Sequence, residues 1–90
     1  MKPYDLSILV LLYKKRAIDK ELCISKKDIK SELDLKEIIS DKTFQKRIND
    51  MLKLNYISQG DRHGRFKSYY INENGINYLM QLQKIKNSIL

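Results

Sequence analysis

The stretch Ser40–Ile57, SDKTFQKRINDMLKLNYI, limits what this chain can fold into more than any other. Phe44, Ile48, Met51 and Leu52 recur at i, i+4, i+7 and i+8, which on a helix makes one apolar stripe. Half a turn away Lys42, Lys46, Asn49 and Lys53 line up, with Gln45 beside them. Such a helix can seat one face in a core and hold amides and ammonium groups outside. A solvated surface helix has the same pattern, so the rest of the chain has to decide between the two readings.

Charge is the first discriminator. Eighteen Lys and Arg stand against eleven Asp and Glu, a formal +7 that favours a polyanionic partner, nucleic acid or an anionic membrane surface. Residues 42–67 alone carry +5, whereas residues 21–41 carry −2, so the basic excess is centred on the amphipathic helix and what directly follows it. Ninety residues make a single domain with one modest core, and 42% apolar against 32% charged residues is the balance of a folded protein. Cys23 is the only cysteine; between Leu22 and Ile24 it reads as a small buried hydrophobe, with no disulfide framework or cysteine-based metal site. The apolar run Ile8–Tyr13 is too short to span a bilayer and no small-residue cleavage site follows it, which predicts a cytoplasmic protein without membrane association.

Along the chain, Pro3 and Asp5 sit where a first helical turn starts, and the pattern from Leu6 to Arg16 is helical. Leu6, Leu9, Val10 and Tyr13 mark its core face, while Ile8, Leu11 and Leu12 make it apolar nearly all round, which calls for a partner subunit or a deeply wrapped monomer. Leu22-Cys23-Ile24 reads as a short strand and Ser25-Lys26-Lys27-Asp28 as a capping box opening a helix whose Ile29 and Leu33 face inward. Leu35, Ile38 and Ile39 tie the next connection to the core, and Ser40 or Asp41 caps the amphipathic helix. Asn55 is a left-handed cap. Two strands follow, Ile57–Asp61 and Phe66–Ile71, joined by a hairpin in which His63-Gly64 supplies positive φ and which carries Arg62, Arg65 and Lys67. Exposed strand edges also carry Lys and Arg simply to block aggregation. Asn72 caps a last helix, Glu73 to about Ser88, in which Ile76, Leu79 and Met80 pack inward. Tyr78, Leu82, Ile85 and Ile89 form a short coiled-coil-like seam. With Ile8 and Leu11 of the first helix, that seam predicts a homodimer joined through the terminal helices, about residues 5–16 and 73–88.

This order of helix, short strand, helix, helix, two strands and helix, with a basic hairpin after the third helix, resembles the winged helix-turn-helix domain, an α+β and mostly helical fold. Thr43-Phe44-Gln45-Lys46-Arg47-Ile48, then Met51, then Asn55-Tyr56-Ile57 resembles the recognition helix of such regulators, with Asn55 where a glycine is usual. Gly64-Arg65 through Tyr69-Tyr70-Ile71-Asn72-Glu73-Asn74-Gly75 is similar to the second wing strand and the start of the final helix in MarR-like and PadR-like transcriptional regulators, and Gly75 matches their glycine. The chain lacks the long extra helices that shape a ligand pocket in MarR-type subunits, so no small-molecule effector is assigned.

Residues and resemblance together predict sequence-specific binding to double-stranded DNA by a small homodimeric regulator. Lys42, Thr43, Gln45, Lys46 and Asn49 would face the major groove, with Gln45 and Asn49 suited to adenine and Lys46 to guanine or phosphate. Arg62, His63, Arg65 and Lys67 would follow the backbone or enter the minor groove. Arg47, nearer the core side, would hold a phosphate or a carboxylate. The competing reading is a winged-helix module that docks on protein and binds no DNA; RNA is a weaker third, since the aromatics are spread through the predicted core. An enzyme is not expected: His63 is the only histidine, and Asp28, Glu32 and Asp34 have no companion nucleophile or metal-binding histidine, so no cofactor or metal is assigned.

Overall fold

The computed structural model describes residues 3–33, 39–61 and 67–89, with side chains as far as Ile85 in the last helix. Its elements follow the predicted order: α1 (Pro3–Lys14), β1 (Ile24–Ser25), α2 (Lys26–Leu33), α3 (Asp41–Lys53), β2 (Ile57–Gln59), β3 (Ser68–Ile71) and α4 (Glu73–Ile89). The strands form an antiparallel sheet in the order β1-β3-β2, with Ile24 opposite Tyr69 and Ile57 opposite Ile71. This is the α+β winged-helix architecture.

Helix ends set the path of the chain. Ser40 caps α3, its Oγ accepting from the Thr43 amide at 3.1 Å. At the far end Asn55 turns left-handed at φ 61°, and the amides of Asn55 and Tyr56 return to the carbonyls of Leu52 and Met51, the two-bond turn that closes a helix. The end of α1 is built the same way around Arg16 at φ 57°, with Arg16 and Ala17 amides bonding Tyr13 and Leu12. Ala17 then turns into the core and its carbonyl accepts from the Ile71 amide at 2.8 Å, tying the end of α1 to β3. Ser25 opens α2 by accepting from the Asp28 amide at 3.2 Å, and the Asn72 side chain opens α4 by accepting from the Gly75 amide at 3.0 Å.

Ile8, Leu9, Leu12, Ile29, Phe44, Ile48, Met51, Ile57, Tyr69 and Ile71 form the centre of the core. Several expectations change here. The inward face of α1 is Asp5, Ile8, Leu9 and Leu12, so Tyr13 is exposed and Leu6 and Val10 are half-exposed. Ile8, assigned to a subunit interface, is 0% exposed and belongs to the protein's own core. Met80, expected to pack inward, is 51% exposed, while Ile76 and Leu79 do pack. Cys23 is half-buried rather than a core residue; its Sγ donates to the carbonyls of Lys20 and Asp61. β1 begins two residues later than expected and ends one later, and the first hairpin strand stops short of Asp61, because the Asp61 amide bonds the Lys20 carbonyl instead of continuing along β3. The anchors Leu35 and Ile38 and the hairpin turn at His63-Gly64 lie outside the described residues. Among the described residues no helix is long and apolar enough to cross a membrane.

Candidate nucleic-acid interface

α3 divides as its sequence requires. Phe44, Ile48 and Met51 are fully buried, and Lys42, Lys46, Asn49 and Lys53 are all exposed along the opposite side. Two buried contacts hold the helix against α1: the Tyr4 ring meets Phe44 edge-on at 6.4 Å, and the Arg47 guanidinium donates to the Asp5 carboxylate at 3.3 Å. Arg47 also pairs with Asp50, so two carboxylates surround one buried cation. It therefore serves the fold and offers no charge to a ligand. Lys30 pairs with Asp41 at 3.3 Å, neutralising the acid at the start of α3.

The remaining predicted readers are not equivalent. Thr43 is exposed, but its hydroxyl accepts from Ser40 Oγ at 3.0 Å and so belongs to the cap. Gln45 is half-buried, and its Nε2 donates to Asn49 Oδ1 at 2.9 Å. Tyr69 is buried, and desolvation pushes its phenol above the ordinary tyrosine range, with the Gln45 hydrogen bond acting in the opposite direction.

The backbone also brings a second group of cations together. The Lys26 amide donates to the Lys67 carbonyl at 2.8 Å, which brings the start of α2, with Lys26 and Lys27, against the strand bearing the exposed Lys67. The acidic balance of residues 21–41 concealed Lys26 and Lys27 from a reading by segment charge. Arg62, His63 and Arg65 lie outside the described residues.

No family model matches this chain, and no curated protein does. Among solved structures it is similar to TubR from Bacillus megaterium pBM400. The match has a TM-score of 0.78 at 24% identity, over 91% of this chain and 86% of that one. At that identity the likeness concerns the fold, which extends over nearly the whole of both chains.

The residues predicted to join two subunits are dispersed. Ile8 is internal, and Leu11 lines an open groove between α1 and α2 together with Leu6, Val10 and Leu33. Tyr78 stacks on Tyr56 at 4.9 Å, Leu82 is half-buried, Ile85 is 58% exposed, and the Ile89 side chain lies outside the described set. Among the described residues no cluster of three or more His, Cys, Asp or Glu could hold a metal ion.

Proposed function

We propose that this protein is a small transcriptional regulator that binds double-stranded DNA sequence-specifically as a homodimer. The observation that carries the reading is the outer face of α3: Lys42, Lys46, Asn49 and Lys53 stand exposed on a helix whose other side is fixed in the core. The fold that this chain shares with TubR over nearly the whole of both chains is compatible with that reading. Lys42 and Lys46 contact phosphate or guanine edges, and Asn49 reads a base. Lys67, with Arg62, His63 and Arg65 of the wing and the lysines at the start of α2, follows the neighbouring backbone. Two copies related by a two-fold axis would place their helices in half-sites about one helical turn apart.

Selection of bound duplexes from a random-sequence pool tests this directly. An enriched motif with two-fold symmetry, bound with affinity that falls steeply as salt rises, is the expected result. No duplex binding at low salt would overturn the DNA assignment and leave a protein-docking module.

A further inference from the structure

Gln45 was expected to read bases, yet its Nε2 is committed to Asn49 Oδ1 one turn along the helix at 2.9 Å, and its side chain also acts on the Tyr69 phenol. An exposed Gln–Asn pair at i, i+4 is by itself a weak contact. Here Gln45 is half-buried, which restricts the conformations open to the pair.

The bond also has a direction. Gln45 donates and Asn49 accepts, so Asn49 turns its oxygen back toward Gln45 and its Nδ2 away from it. We infer that Gln45 is a positioning residue that presents Asn49 to DNA as a hydrogen-bond donor. Asn49 then selects an acceptor edge in the major groove, a purine N7, guanine O6 or thymine O4, and disfavours the amino group of cytosine. This rests on the proposed DNA binding and names the residue that sets one base of the site.

Parallel selections from the random duplex pool with the parent, Asn49→Ala, Gln45→Glu, Gln45→Met and Tyr69→Phe test it. Asn49→Ala should flatten the preference at one base pair per half-site, by about tenfold in discrimination, with the other positions unchanged. Gln45→Glu cannot donate; its carboxylate accepts from Asn49 Nδ2, turns the amide round and moves the preference at that same base pair toward cytosine or the adenine amino group. Gln45→Met removes both bonds without adding charge, so it should weaken the preference there even if the added charge of the glutamate variant abolishes binding. Tyr69→Phe should act in the same place and more weakly, and a melting curve for each variant confirms folding. If the Gln45 variants keep the parent's base at the Asn49 position, or alter a different one, the inference is wrong. If the parent itself enriches no motif, the DNA reading fails first.

Discussion

Arg47 illustrates what a single residue's position does and does not reveal. Its place on the helical wheel marked it as nearer the core, and a phosphate or carboxylate partner was expected. The partner, Asp5, lies 42 residues away and reads in sequence as an ordinary acid at a helix start. Asp5 is 2% exposed, so removing its charge leaves the guanidinium with Asp50 alone in a low-dielectric setting. Asp5→Asn is expected to lower stability by about 3 kcal/mol, seen as a reduced urea midpoint at unchanged m. Lys46 is the opposite case. Exposed and outside the core, Lys46→Ala should leave stability within about 0.5 kcal/mol of the parent. On a selected duplex, the same change should weaken binding by about 1–3 kcal/mol. Tyr69 adds a pH dependence. Its phenol titrates above the ordinary 10.0 in the folded state, so the unfolded chain releases this proton first. The associated stability is present below pH 10 and is lost as pH rises through the raised value. Melting temperatures from pH 8 to 11 should therefore fall less steeply in Tyr69→Phe than in the parent, with the other tyrosines common to both.

At the scale of elements, α3 was legible because its signals agree: a serine cap, an apolar stripe broken by polar residues, and an asparagine able to turn left-handed. α1 was legible as a helix but not in its orientation. Its run of consecutive apolar residues contains no polar marker to separate inside from outside, and the buried stripe at residues 5, 8, 9 and 12 begins with a charge that sequence reasoning places in solvent. The left-handed Arg16 was hidden for a related reason, since arginine does not signal that conformation. The pairing of β2 with β3 was readable from the hairpin, but the place of β1 beside β3 was not, nor were the strand ends, because the Lys20 carbonyl that captures the Asp61 amide comes from a distant turn. Gly75 was noticed by resemblance, and its reason is spatial. A Cβ there would lie 2.3 Å from the Tyr56 carbonyl oxygen, where the start of α4 meets the turn after α3. Alanine is the better helix former, so propensity alone predicts that Gly75→Ala stabilises. The close approach reverses the sign, and a loss of about 2–3 kcal/mol in urea denaturation is expected.

For the whole molecule, what remains is apolar surface that the chain does not cover itself. Ile85 on α4 is more than half exposed, as is Met80, while Leu6, Val10 and Leu11 of α1 line the open groove beside α2. Of the residues assigned to a subunit contact, Ile85 is exposed and Ile8 is buried in the protein's own core, so a contact through α1 would have to use Leu6, Val10 and Leu11. A charge at Ile85 disturbs no buried contact of the monomer, which makes it the cleaner probe. Ile85→Lys should therefore melt close to the parent yet sediment as a monomer, if α4 joins two copies. The consequence for DNA is separable from any change in the reading face. Affinity for a two-fold site depends on the phosphates neutralised by both copies, and the slope of log K against log salt scales with that number. Ile85→Lys should thus bind the selected duplex with about half the parent's salt slope, whereas Lys46→Ala keeps the dimer and reduces the slope by only about 1 for each phosphate that is no longer neutralised. A variant that remains dimeric with an unchanged slope would remove α4 from the subunit interface while leaving the role of α3 intact.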